Sequence, residues 1–394
     1  MADPRRCATP LRLLWALPCA LTVLPATGVA QEPTPVGVPP IHWGIVVDAL
    51  GDLSAGGPTR PDSARFALRA LELGATGRLS PRLAIRVTAS VLEGGDVALD
   101  EGQAVATLPR GLQLRAGRLL VPLGDAWRDH RHENPLVERP MAVRRFVAPE
   151  LLAGSGAALA GAVGPLALHL AAVDRFTDPP AGTRTIERAN RLFSGLGFAA
   201  RAELDAGRLA PLLRGLALSA GGATSRVAQP LTASAPQGSI RVNAVLARQS
   251  VVTGGARWRG LTGRLELQGE VLAQLNESLE SVSGRIPADV VNGGPFYLGP
   301  TGTFSGGYGT ARLTAWRALA LVARAESLQD PALRGTQRQV QGAGVEWGGS
   351  RALPAQLRAA WEHRDGGSDA ASGHRLLVEG VLTVGTHRAA GARE

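Results

Sequence analysis

The richest group of ionisable side chains in the sequence lies in the segment 122–152. Arginine, histidine and acidic residues follow one another there without a hydrophobic period, which is typical of a long loop. Because a guanidinium keeps its charge and grips carboxylate or phosphate through a planar fork, the arginines could attract small anions. Nearby carboxylates make the field mixed, so the segment would sieve by size better than it selects by charge. The residues predicted to act together are Arg128, His130, Arg131, His132, Glu133, Arg139, Arg144 and Arg145.

Other interpretations of this segment remain open. Its charges could form ion pairs that hold a solvated surface loop in place. The run 130–133 could ligate a metal, but two histidines separated by one residue, without a second group of ligands, form a weak pattern. No nucleophile elbow, P-loop or dinucleotide fingerprint occurs in a strand-to-helix context. We therefore predict no metal site, no cofactor, no catalytic residue and no enzymatic activity.

Strands with one apolar face precede and follow this segment. In 82–92, Leu83, Ile85 and Val87 alternate with Arg86 and Thr88, which is a period of two. The same alternation occurs in 198–204, 240–246, 261–276, 319–325, 355–364 and 375–384. The charged residues of these strands all lie on the polar face. This shared face indicates that they point into the interior, but it says little about which solute could pass through. The residues predicted to line a polar lumen are Arg86, Arg115, Arg201, Arg241, Arg264, Glu266, Glu270, Arg312, Arg324, Arg358 and Arg375.

Long and short polar connections alternate along the chain. The long ones are 51–63, 122–152, 174–191, 223–238, 276–302, 328–337 and 365–372, and the short ones include 76–81, 164–165, 250–257 and 349–354. This rhythm is typical of an outer-membrane barrel, with long loops outside and short periplasmic turns. It predicts an all-β, transmembrane antiparallel up-and-down barrel of about 16 strands, within a range of 14–18, over residues 41–385. A soluble secreted β-sandwich or lectin is the alternative, because its strands also alternate.

Aromatic residues fall at the predicted strand ends, as in two interfacial girdles. Trp43, Trp258, Trp316 and Trp347 lie at the ends assigned to short turns, and Phe66, Phe193, Phe304 and Trp361 at the opposite ends. Aromatics are only 4% of the chain, which is few for a membrane barrel.

The first 30 residues have the pattern of a secretory signal peptide, with arginines before an apolar run and small residues before Gln31. Both cysteines lie in this segment, which excludes disulfides and thiol sites from the exported chain. Residues 31–40 form a Pro-rich lead-in, and 386–394 a C-terminal tail. The formal charge is +9, carried by arginine without any lysine. Because arginine is spread over the lumen-facing positions, no single basic face suits nucleic acid.

The segment 112–146 resembles a group of bacterial outer-membrane barrels related to the phosphate-selective and other porin-like families. The matching features are Leu112–Arg118, Pro122, Gly124, His130, His132, Arg139–Pro140 and Arg144–Phe146. The resemblance implies a channel in the cell outer membrane whose third long loop, 122–152, folds inward as a constriction. A row of phosphate-binding residues that includes lysines cannot be assigned to this chain from the resemblance, because the chain has no lysine.

Together these features predict passive diffusion of small polar or anionic solutes. A non-conducting structural or adhesive barrel is the alternative. The expected partners are outer-membrane lipid and the solutes, with a homo-oligomer left open and no nucleic acid.

Overall fold

The computed structural model describes most of the segment that the sequence assigns to a barrel. The described residues are 41–53, 66–92, 97–125, 132, 137–146, 152–176, 196–235, 238–281, 302–316, 318–329, 337–348, 355–365 and 373–385. All of them belong to one compact unit, Pro39–Glu394. The predicted signal peptide (1–30), lead-in (31–40) and tail (386–394) lie outside the described residues.

Sixteen strands in the described residues form one closed sheet. Each strand pairs antiparallel with the next along the chain, and β1 closes the barrel by pairing with β16. The predicted antiparallel barrel of about 16 strands is therefore confirmed. The strands are β1 Ile41–Asp52, β2 Phe66–Ser80, β3 Leu83–Leu92, β4 Val97–Thr107, β5 Gln113–Leu120, β6 Ala153–Val163, β7 Leu166–Val173, β8 Gly197–Asp205, β9 Leu216–Ala235, β10 Gly238–Gly260, β11 Leu265–Ser281, β12 Gly302–Trp316, β13 Leu319–Gln329, β14 Gln337–Gly348, β15 Ala355–Asp365 and β16 Gly373–Gly385.

Helical structure in the described residues is limited to short pieces. The α-helix α1 covers Met141–Phe146, and single 3₁₀ turns cover Pro109–Gly111, Ala206–Arg208, Pro211–Leu213 and Leu261–Gly263. No described helix combines the length and the apolar character needed to cross a membrane.

The two faces of the sheet differ in the way the alternation predicts. In β13, Val322, Arg324 and Glu326 are buried on the inner face, whereas Leu321 is exposed on the outer face. In β3, Leu83, Ile85 and Val87 are likewise exposed, and Thr88 and Ser90 are buried. Successive side chains of a strand point to opposite sides, so one register places apolar residues outside and charged residues inside.

The predicted long connection 223–238 and short turn 250–257 are wrong. Both segments are largely strand, within β9 and β10, which a two-residue connection joins. The Gly, Ser and Pro content of this region suggests a loop, but cross-strand pairing overrides so weak a local preference. Pro230 lies where the β9–β10 register shifts, between the pairs Val242–Leu231 and Val245–Gln229. A bulge tolerates the missing amide donor of proline. The number of strands is unaffected, because the short turn predicted at 250–257 is replaced by a turn farther along the chain.

That turn lies at Leu261–Gly263, where the sequence predicts the start of a strand. Leu261, Thr262 and Gly263 all have positive φ, at 49°, 56° and 85°. Extended backbone therefore begins only at Leu265, and Arg264 lies in the turn.

The aromatic side chains lie near the two ends of the barrel. At the end with the connections 81–82 and 317–318 are Trp43, Trp258, Trp316 and Trp347. At the opposite end are Phe66, Phe198 and Trp361, whereas Phe193 and the side chain of Phe304 are not described. The outer surface between them is apolar, as the exposed Leu114, Leu170, Val252, Leu267 and Leu321 show.

Candidate pore wall and inward-folded loop

The connection between β5 and β6, which we call the inner loop (121–152), enters the barrel. Its ends are tied together by the hydrogen bond from Val121 N to Leu152 O, 2.7 Å. Leu123 is fully buried, and its carbonyl accepts a hydrogen bond from Thr253 Oγ1 on the inner face of β10, 3.2 Å. Farther along, Ala142 in α1 is also fully buried. The described parts of the loop therefore pack on the inner wall.

An apolar cluster holds the first part of the loop and α1 against strands β7–β13. Burying apolar side chains between loop and wall removes them from water and stabilises this arrangement. Its members are Val121, Leu123, Ala142, Val143, Leu152, Val173, Phe176, Ala199, Ala223, Val251, Leu272, Tyr308 and Leu328.

Glycines on the inner wall leave the space that the loop occupies. A Cβ on Gly221 of β9 would lie 2.0 Å from the carbonyl oxygen of Leu123, and one on Gly306 of β12 would lie 2.7 Å from the Cβ of Ala142. These distances are too short for any larger residue without movement of the loop backbone. Gly255 of β10 also lies close to the loop, since a Cβ there would meet Ser219 Oγ at 2.8 Å and Asp125 Oδ2 at 3.3 Å.

Described residues farther along the loop, between 132 and 138, lie against other parts of the wall, where three arginines bind their backbone. These arginines lie on β2, β13 and β15, and β13 is eight strands from β5 in the closed sheet. Backbone carbonyls satisfied by charged donors hold the loop independently of its own side chains. The contacts are Arg69 Nη1 to the carbonyl of Val137 (2.8 Å), Arg324 Nη1 to that of Glu138 (3.1 Å) and Arg358 Nη2 to that of His132 (2.6 Å).

The same three arginines are paired with carboxylates of the wall. Arg358 Nη1 donates to Glu379 Oε2 at 2.7 Å, with both side chains almost fully buried. Arg324 pairs with Glu362 at 3.0 Å and also with Glu326. Arg69 pairs with Asp48 (2.9 Å) and also with Glu379. Buried charges of this kind are tolerated only when each has partners, so wall and loop form one network.

Further contacts fix the remaining described parts of the loop. Asp125 Oδ1 accepts from Arg201 Nη2 at 2.5 Å. The amide of Met141, at the start of α1, donates to Glu326 Oε2 at 2.5 Å. The side chain of Glu138 pairs with Arg364 (2.8 Å) and Arg375 (3.4 Å), and His132 Nδ1 lies 3.3 Å from Glu72 Oε1.

Sequence reasoning missed Arg69, although it binds the loop and two wall carboxylates. The β1–β2 register shifts at this point: Asp48 pairs with Ala70 and Ala49 with Leu68, so Arg69 is the extra residue of a bulge. A bulge interrupts the two-residue period and re-aims side chains. The available signal was the spacing of three between Arg69 and Glu72, both of which contact the loop.

The predicted constriction residues are only partly described. Arg128, His130, Arg131 and Glu133 lie outside the described residues. Arg144 and Arg145 belong to α1, but their side chains are not among those described. His132 and Arg139 are buried within the barrel.

Most predicted lumen residues lie on the inner face and in ion pairs. Arg201, Arg324, Arg358 and Arg375 pair with the carboxylates given above. Arg312 pairs with Glu346 at 3.0 Å, Glu266 with Arg259 at 3.2 Å, and Glu270 accepts from Tyr308 at 2.7 Å. Arg264 is exposed in its turn, and the side chain of Arg241 is not described.

Two inner-wall arginines differ from the others. Within the described part of the chain, neither Arg86 on β3 nor Arg115 on β5 makes an ion pair with a carboxylate. Arg115 donates to Gln113 Oε1 at 2.9 Å, and the Nε atoms of both arginines have no hydrogen-bond partner. Both side chains are half-buried on the inner face. The buried Glu101 interacts with Arg115 only at longer range, so the charges of the two arginines are only partly neutralised.

These features define a class of protein: a closed 16-stranded antiparallel β-barrel with an apolar outer face and a charged interior, the fold of bacterial outer-membrane barrels. No protein-family model and no curated protein matches the chain.

Solved structures nevertheless share the fold along nearly the whole chain. A loop-deletion form of OmpT, an outer membrane protein of Vibrio cholerae, matches with a TM-score of 0.59 at 11% identity, covering 88% of this chain and 100% of that chain. The outer membrane channel DcaP of Acinetobacter baumannii matches with 0.55 at 8% identity, covering 88% and 96%. Salmonella typhi OmpF, in complex with daunomycin, matches with 0.54 at 8% identity, covering 87% and 97%.

Proposed function

We propose that this protein is a porin-like channel of the outer membrane that lets small polar or anionic solutes diffuse passively. The supporting observation is the charged interior of a closed barrel, crossed by a loop that the far wall holds in place. The barrel shares its fold with an outer membrane channel, DcaP. Outer-membrane lipid would contact the apolar outer face, and further copies of the chain are a proposed partner. The proposed role is non-enzymatic.

The inner loop is proposed as the constriction. It departs from β5, and its described residues are held at β13, β15 and β2, which supports a course across the passage rather than along one side. Its anchors are charge-assisted and buried, which suits an element that must keep a fixed distance from the wall. Solutes would pass between this loop and the part of the inner wall that the loop does not contact.

The proposed preference for anions rests on Arg86 and Arg115. Elsewhere on the described inner wall, arginines are neutralised by nearby glutamates and aspartates. A guanidinium without a carboxylate partner can offer its donors to a passing carboxylate or phosphate. These two residues, rather than the loop arginines, are proposed to attract solute anions.

The deciding experiment is single-channel conductance of the refolded protein in a planar bilayer. Discrete current steps would support the channel. A barrel that inserts, as shown by a heat-modifiable gel shift, but never conducts would overturn the channel proposal and favour a structural or adhesive role. Protein that stays soluble without detergent would overturn the membrane location.

Replacing Arg86 and Arg115 together by glutamine is expected to reduce the preference for anions. Losing two weakly neutralised charges should cost about 0.5–1 kcal/mol of anion stabilisation, which is about a two- to fivefold fall in the anion-to-cation permeability ratio. Reversal potentials under a salt gradient measure that ratio. The matched control is Arg208→Gln with Arg214→Gln, which removes the same charge from exposed positions in a short turn. Equal effects in both double variants would show that net charge, not this site, governs selectivity.

Placing a charge on the outer face tests the membrane location. Val271, in the middle of β11, is 66% exposed on that face. Val271→Arg is expected to lower the free energy of unfolding in lipid vesicles by about 2–4 kcal/mol, because the guanidinium would face hydrocarbon. Gln268→Arg, on the inner face of the same strand, is the control and should be tolerated beside Glu266 and Glu270. Equal tolerance of both substitutions would contradict a lipid-facing outer surface.

A further inference from the structure

A pair of histidines lies on the outer face of the barrel near the end that carries the long loops. His363 on β15 and His374 on β16 are direct partners in the antiparallel register. Their neighbours Glu362 and Arg375 face the interior, so the alternation places both imidazoles outside. The ring centroids are 4.6 Å apart and the ring planes are tilted by 35°.

Trp361 fixes the position of this pair. Its ring stacks on His374 at a centroid distance of 5.5 Å and an interplanar angle of 21°, and on His363 at 6.5 Å and 15°. The indole therefore packs against both imidazoles. His374 is exposed, so the pair can be reached from outside the barrel.

One ring nitrogen of this pair has no hydrogen-bond partner. His363 Nδ1 is shielded from solvent and has no hydrogen-bond partner. A neutral imidazole presents one nitrogen with a lone pair, and a buried polar nitrogen without a partner is costly unless something unseen satisfies it. An ion that accepts that lone pair would remove the cost.

We propose that His363 and His374 bind a divalent transition-metal ion such as Cu²⁺, Ni²⁺ or Zn²⁺ on the outer surface of the barrel. Imidazole nitrogen is a preferred ligand of these ions, and metal–nitrogen distances are about 2.0–2.1 Å for zinc. Because the centroids are only 4.6 Å apart, a small turn of the rings would let one nitrogen of each ring reach a common ion. Two strands joined in this way would also be clamped together.

The neighbouring side chains determine how many protein ligands the ion would have and which ion is favoured. Among the described residues no group of three or more His, Cys, Asp or Glu side chains is placed to hold a metal. The protein would therefore supply two ligands, and water or an external anion would complete the coordination. Two imidazoles without a carboxylate favour Cu²⁺ and Ni²⁺ over Mg²⁺ and Ca²⁺, which take oxygen ligands.

The test is a Cu²⁺ titration of the refolded barrel, without an affinity tag, followed by calorimetry and by tryptophan fluorescence. His363→Ala and His374→Ala should each weaken binding by about tenfold or more, since each removes half of the protein ligands. His42→Ala, which changes a histidine at the opposite end of the barrel, is the control and should bind as the parent does. Trp361→Phe should keep the calorimetric binding but lose a share of the fluorescence quenching.

Each outcome bears on the proposal. A heat-modifiable gel shift confirms that every variant is a folded barrel, and His374→Gln is a second variant with less change in size. Loss of the calorimetric site in the folded His363 and His374 variants supports the metal site. Binding that is unchanged in both, or lost equally in His42→Ala, would overturn it and leave the two histidines as aromatic packing.

Discussion

Arg358→Ala is expected to lower the free energy of unfolding by about 3–5 kcal/mol, because the buried Glu379 would keep only Arg69 of its two arginine partners and the His132 carbonyl would lose its donor. Glu379, the carboxylate concerned, has no exposed surface. The variant also loses the hydrogen bond to the His132 carbonyl, so the inner loop is freed at one of its far anchors. We therefore expect higher single-channel conductance as well as lower stability.

The control for this experiment is Arg312→Ala. Arg312 makes a comparable pair with Glu346, through two hydrogen bonds of 3.0 and 3.2 Å, but it is partly exposed and has no contact with the described loop residues. Its removal should cost less, about 1–2 kcal/mol, because Arg312 is 30% exposed and the buried Glu346 keeps its hydrogen bond from Gln356. Unfolding in denaturant and conductance are measured on both variants. If Arg358→Ala lost stability without any change in conductance, the anchor would not control the passage.

Gly221→Ala is expected to displace the first part of the inner loop. The new Cβ would lie 2.0 Å from the carbonyl oxygen of Leu123, a distance that only movement of the backbone can relieve. Such overpacking typically costs about 1–3 kcal/mol. The hydrogen bond between Thr253 and Leu123 should be lost with it, and the loop should become more accessible to protease.

Gly222→Ala provides a matched control one residue away. It lies on the opposite face of β9, and its Cβ would meet Val251 O at 3.5 Å and Val252 Cγ1 at 3.9 Å, both ordinary contacts. Its effect on stability should stay within about 0.5 kcal/mol. Limited proteolysis and the unfolding free energy are measured on both alanine variants. Similar behaviour of the two would mean that Gly221 does not serve the inward course of the loop.

The sequence by itself determined the class of fold and the orientation of most wall residues. Alternation in segments such as 82–92 and 319–325 predicts which side chains face inward, because the pleat of a strand is a local property of the backbone. The inner positions of Arg115, Arg324 and Arg358 follow from that period alone. The strand number followed only within the range of 14–18, because the turn signals around β9 and β10 did not coincide with the actual turns.

Only the tertiary structure decided which partners the charged side chains have. Arg69 is turned inward by a bulge that depends on its pairing with β1, and β9 and β10 are long because each pairs with the other. The partners of Arg324 and Arg358 in the inner loop lie 186 and 226 residues away along the chain. Contacts at such separations depend on closure of the barrel, which no local pattern encodes. Closure therefore neutralises most wall arginines and leaves Arg86 and Arg115 without carboxylate partners, a distinction that alternation cannot make.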